Sequence, residues 1–148
     1  MSGGSSAESD LANHLLGKAM IDVMAELKPI GALFTAADYQ AGLKLLAELW
    51  DRIPAPKESL NNSYLVVSYG VAFARKVGDL DLAWEWALKG LAYSGGFNLG
   101  GESEFLVAEV AFARGDQKAA SAYFRISRKV SGRRLFRDKN PKYWELAE

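Results

Sequence analysis

Cysteine is absent from this chain of 148 residues, and histidine occurs once. Without cysteine there is no disulfide framework, no thiolate metal site and no cysteine nucleophile, which suits a reducing compartment. A single His14, set among apolar residues with no serine or acid at a relay spacing, gives no catalytic pattern. One histidine also falls short of the usual zinc and iron ligand sets. No apolar run approaches the roughly 18 residues needed to cross a bilayer. The opening MSGGSSAESD has neither the basic start nor the apolar stretch of a secretory signal. Residues 1–9 read as a flexible polar leader and residues 10–148 as one helical domain with a basic tail. A cytoplasmic setting is expected.

Net charge is missing too, since 18 Lys and Arg balance 18 Asp and Glu. The distribution is uneven. Eight basic residues (Arg125, Arg128, Lys129, Arg133, Arg134, Arg137, Lys139 and Lys142) stand against Asp138 alone between Arg125 and Lys142. Before Arg125 the chain carries 15 acidic and 10 basic residues. A basic end on an acidic body can draw an acidic partner or a phosphate backbone. The plainer reading is a solvated tail after a last helix.

What is present is helical spacing almost throughout. Leu11, Leu15, Leu16, Met20, Val23, Met24 and Leu27 form one stripe behind Ser9 or Asp10, with Pro29 ending or kinking the helix. Leu43, Leu46, Leu49, Trp50 and Ile53 form a second, opened by a capping-box-like Thr35 and Asp38 and closed by Pro54 and Pro56. A third segment runs from about Ser59 to Lys76 and a fourth from Leu80 to Tyr93. After the glycine-rich Ser94–Gly101 come a fifth from Glu102 to Arg114 and a sixth from Asp116 to about Val130. Nothing alternates with period two over a useful length. The fold class is all-α, about six main helices plus a short C-terminal one.

The strongest signal is internal repetition. Val-Ala-Phe-Ala-Arg occurs at Val71–Arg75 and again at Val110–Arg114, at a separation in the high thirties. The later copy runs directly into Gly115-Asp116, and the earlier one reaches Gly78-Asp79 after Lys76-Val77. In such a turn the glycine leaves one helix and the aspartate caps the next. Small residues that follow, Ala83 in one and Ala119-Ala120 in the other, let two antiparallel helices approach. One hairpin cannot bury its apolar face alone, so it stacks on the next.

Gly78-Asp79-Leu80-Asp81-Leu82-Ala83 and Gly115-Asp116-Gln117-Lys118-Ala119-Ala120 resemble the start of the second helix in the tetratricopeptide family. Ala37-Asp38-Tyr39-Gln40-Ala41-Gly42 is a divergent earlier copy, with Pro54 where the family's closing proline would fall. The resemblance covers roughly Leu33 to Ser131. It implies a right-handed stack of hairpins that binds a protein in the groove lined by the first helix of each. Aligned on the two Gly-Asp turns, the groove-facing residues would be Ser68, Ala72, Arg75 and Lys76, then Glu102, Phe105, Glu109 and Phe112. A narrower pattern lies in Gly100-Gly101-Glu102-Ser103-Glu104-Phe105, Gly132-Arg133-Arg134-Leu135-Phe136 and Pro141-Lys142-Tyr143. It is similar to small bacterial tetratricopeptide-like proteins of toxin–immunity loci. That implies a non-catalytic immunity protein that neutralises a toxin enzyme domain.

Other chemistry reads weakly. Glu102, Glu104 and Glu109 could hold magnesium, but an acidic cluster at a helix N-terminus is the plainer account. The Gly95–Gly101 stretch lacks the Gly-Lys-Ser/Thr ending of a phosphate loop. Of the tryptophans, Trp86 is in phase with Leu82 and Ala83 and belongs to the core, leaving Trp84 the more exposed and a candidate contact. Arg133, Arg134 and Arg137 offer a secondary contact or clamp. The sequence thus predicts a protein partner, with no enzyme activity, cofactor, metal or membrane. The alternatives are a peptide-reading adaptor or co-chaperone domain and, less favoured, nucleic-acid binding through the basic segment. A homodimer is a further option, because a short stack has exposed ends.

Overall fold

The computed structural model describes residues 21–94 and 100–148. The expected leader, the Leu11–Met20 part of the first stripe, His14 and most of the glycine-rich break lie outside them. Among the described residues there are helices and turns and no ladder of strands. The helices are α1 (Val23–Thr35), α2 (Tyr39–Arg52), α3 (Tyr64–Lys76), α4 (Leu80–Lys89), α5 (Glu102–Ala113), α6 (Gln117–Ser131) and α7 (Pro141–Leu146). Short 3₁₀ turns stand at Lys57–Ser59, Gly90–Tyr93 and Arg134–Phe136. No helix among them is long and apolar enough to cross a membrane. The chain divides into two compact units, with the boundary between Val66 and Val67, inside α3.

In the first unit α1 and α2 pack as a hairpin. Val23, Leu27 and Ile30 from one helix and Leu43, Leu46 and Leu49 from the other are buried. Each such side chain contributes about 1.5–3 kcal/mol on leaving water. Glu26 and Arg52 pair between the helices. Lys57 donates from Nζ to the Trp50 and Ile53 carbonyls, each at 2.6 Å, and so satisfies the end of α2.

Two details depart from the sequence reading. The stripe expected to form one helix from Leu11 is broken, because α1 begins at Val23 behind Asp22, whose carboxylate accepts from the Ala25 N–H at 3.1 Å. Of the two outcomes expected for Pro29, ending the helix does not occur; it sits inside α1, exposed, at the cost of one helical hydrogen bond. Buried Leu27 and Ile30 hold the helix on either side of it. Thr35 is also not a cap for α2. It is the last residue of α1 and donates from Oγ1 to the Gly31 carbonyl at 3.3 Å, while Asp38 takes the N-cap place.

In the second unit α4 packs on α5, α5 on α6, and α6 on α7. The residues following α3 and α5 make the same turn. Gly78 (φ +79°) donates to the Arg75 carbonyl at 3.1 Å and Asp79 to that of Ala74 at 3.0 Å. Gly115 (φ +84°) donates to Phe112 at 3.0 Å and Asp116 to Ala111 at 2.9 Å. This pair of bonds is the Schellman ending of a helix, and it needs a left-handed residue that glycine supplies cheaply. Asp79 and Asp116 then accept from the Leu82 and Ala119 N–H groups, each at 3.0 Å, and open the next helix. The turn after α1 is built alike, with Ala37 (φ +60°) in the left-handed place.

Counting on from the three turn aspartates, the fourth residue is Gly42, Ala83 or Ala120, and all three are buried. The eighth is Leu46, Ala87 or Phe124, each fully buried. Small residues at the first place permit close helix approach, and the later place fills the core.

Candidate functional site

The residues that the turn alignment assigns to a groove fall into two groups. On α3, Ser68 is half-buried and Ala72, Arg75 and Lys76 are exposed. On α5, Glu102, Glu109 and Phe112 are half-buried and Phe105 is 4% exposed. Phe105 is therefore a core residue and not a contact surface. Its ring meets Phe124, Phe136 and Tyr143 edge-on at centroid distances of 5.3, 5.1 and 5.9 Å. Phe112 is likewise turned inward, 5.2 Å edge-on from Tyr143.

The cause is the last element. Asn140 caps α7, accepting from the Lys142 N–H at 3.0 Å, and Pro141 pre-sets its first turn. The helix lays Tyr143 flat on Phe124 at 4.6 Å and Trp144 edge-on to Phe136 at 5.1 Å. Aromatic pairs of this kind add about 0.5–1.5 kcal/mol beyond the area they bury.

The structure does bring Arg75 and Glu109 into electrostatic range, and it adds Lys139 and Tyr143 to them. Burial lifts the Glu109 carboxyl above its ordinary value, while Lys139 and Arg75 pull it back down. Tyr143 is raised as well, first by burial and then by the Glu109 charge, so its phenol stays protonated. A half-buried acid is thus flanked by cations on α3 and on the segment before α7. Nothing in the sequence pattern points to Lys139 or Tyr143 here; the one local signal is the Asn140-Pro141 pair, which opens α7 and sets Tyr143 in its first turn.

The three glutamates of α5 do not converge. Glu102 accepts from the Gly100 N–H at 2.7 Å and lies 3.6 Å from Arg134, Glu104 takes the Ser94 hydroxyl, and Glu109 faces Arg75 and Lys139. Among the described residues no three acidic or histidine side chains gather as a metal site would require.

Trp84 is half-buried against the C-terminal aromatic core, with the Arg114 guanidinium 5.0 Å from its ring centre and Asp81 holding Arg114 at 3.0 Å. Trp86 is buried, as its phase predicted, against Gly70.

Much of the basic segment is turned to the chain's own groups. Arg125 donates to the Glu148 carbonyl at 3.0 Å and Arg134 to that of Gly100 at 3.3 Å. Arg128 and Arg133 each lie 4.3 Å from the centre of the Trp144 ring. Such stacking contributes about 0.5–1 kcal/mol at exposed sites. Arg125, Arg128 and Arg133 thus tie the chain's last residues to α6 and the segment after it, while Arg134 reaches back to the start of α5.

Compared with protein-family models, curated proteins and solved structures, the chain matches none.

Proposed function

We propose that this chain is a non-catalytic protein-binding module of the tetratricopeptide-like kind, with its hairpins in a right-handed stack, and that it acts as an immunity protein occluding a cognate toxin. The supporting observation is the mixed-charge surface around Arg75, Lys76, Glu109 and Lys139, carried on the first helices of two like-turned hairpins and on the segment before α7. Opposed charges at a rigid surface select one partner and reject others more than they add raw affinity. Repetition supports the same reading, since stacked hairpins serve chiefly to present extended surfaces. A cytoplasmic setting accords with this role.

The test is capture of the partner from the native lysate, read by mass spectrometry at low and moderate salt. One stoichiometric protein retained at both salts supports the module, and a toxic enzyme in that band supports immunity. Nucleic acid that washes off with salt, or an empty eluate, counts against both.

A further inference from the structure

A hollow of about 330 Å³ opens beside α7, lined by Arg133, Phe136, Arg137, Pro141, Trp144 and Glu145. Its size lies near the low end of the roughly 300–1,000 Å³ typical of binding pockets. Phe136 and Trp144 meet edge-on and are fixed by the aromatic core beneath them, so the apolar wall is rigid. Arg133 is held against Trp144 by its stacking contact. Among the described residues neither Arg137 nor Glu145 forms an ion pair, and both are exposed. Two cations and one anion therefore stand around an apolar surface with their charges unspent.

We propose that this hollow is a docking pocket for a protein partner that inserts an apolar side chain against Phe136 and Trp144 and sets an acidic one beside it. Charge complementarity chooses the occupant. Arg133 and Arg137 call for a carboxylate, and guanidinium groups meet carboxylates well through their fork of donors. Glu145 on the same rim opposes a polyphosphate, yet is readily met by the N–H groups of a polypeptide. The pocket adds a second contact to the module proposed above and rests on that reading.

The experiment is an NMR titration of the full chain, followed at the assigned Trp144 indole N–H. The probes are a capped peptide of alternating Glu and Phe, the same peptide with Ser for Phe, the same with Lys for Glu, and a single-stranded DNA oligonucleotide. The Glu/Phe peptide is expected to shift the Trp144 signal, with the other three leaving it in place. Arg137→Glu should weaken that binding about threefold to fivefold with the melting temperature unchanged, since Arg137 makes no contact the fold needs. Arg75→Glu with Lys76→Glu should leave it intact. An equal response to the oligonucleotide or the Ser peptide overturns the pocket, as does binding unaffected by Arg137→Glu or silence with every probe. A native partner captured through Arg75 and Lys76 while the hollow ignores all probes would remove the pocket and keep the module. Peptide binding at the hollow with an empty lysate capture would do the reverse.

Discussion

Val71–Arg75 and Val110–Arg114 are the same five residues, yet they bury different side chains. In the first copy Phe73 and Ala74 are buried and Ala72 is exposed; in the second Ala111 is buried, Phe112 half-buried and Ala113 exposed. Burial follows the distance to the Gly-Asp turn, and Lys76-Val77 puts the two copies two residues out of step. Aligned on the turn, buried Val71, Phe73 and Ala74 correspond to buried Ala108, Val110 and Ala111. The turn fixes where a helix ends and hence which face meets its neighbour, while the identical string carries no fixed role.

The two hairpins of the second unit also fill the same positions differently, and the largest expected effects come from there. At the eighth place after the turn one hairpin has Ala87 and the other Phe124. Phe124→Ala should cost about 3–5 kcal/mol in chemical denaturation, because it empties the centre of the aromatic core. A loss below about 1 kcal/mol would mean that α7 does not seal that core. Gly70 corresponds to Val107, but a Cβ on Gly70 would lie 2.2 Å from Trp86. Gly70→Ala should therefore cost about 1–3 kcal/mol and change the Trp86 fluorescence, while a neutral result would separate α3 from α4 at this level.

Smaller effects sharpen the turn comparison. Asp79→Ala and Asp116→Ala should each cost about 1 kcal/mol, and Asp38→Ala clearly less, since the Asp38 side chain makes no cap bond. Ala37→Gly should stabilise by about 1 kcal/mol by relieving a left-handed alanine, and Gly115→Ala should cost a similar amount. Equal losses at all three aspartates would show that the turns are energetically alike even though the Asp38 side chain makes no cap bond.

The smallest effect is pH-dependent. A raised carboxyl contributes stability that is complete below its unfolded value and lost as pH rises through its folded one. Glu109→Gln should thus raise the melting temperature at about pH 7 and lose that advantage at about pH 3.5. A destabilised variant at neutral pH would show that attraction to Arg75 and Lys139 outweighs burial.

Much of the helical order was legible because apolar spacing and turn chemistry are local. The Gly-Asp turns, the buried Leu43–Leu46–Leu49 stripe and the burial of Trp86 all come from nearby residues. Pro29 does not end its helix, because a proline's local cost gives way to the burial of Leu27 and Ile30 around it. Phe105 was misplaced because its fate depends on α7 returning from more than thirty positions away. The joining of Lys139 and Tyr143 to Glu109, and the engagement of Arg128 and Arg133 with Trp144, are long-range in the same way. No periodicity within one helix encodes them.

The central claim is that a partner protein is bound through the charged surface around Arg75 and Lys76. The most direct measurement is the affinity of the captured partner for the chain and for its Arg75→Glu, Lys76→Glu variant, by calorimetry at moderate salt. Both side chains are exposed, so the variant should fold, and affinity should fall about tenfold or more. Undiminished affinity in a folded variant would contradict the account and place the interface elsewhere.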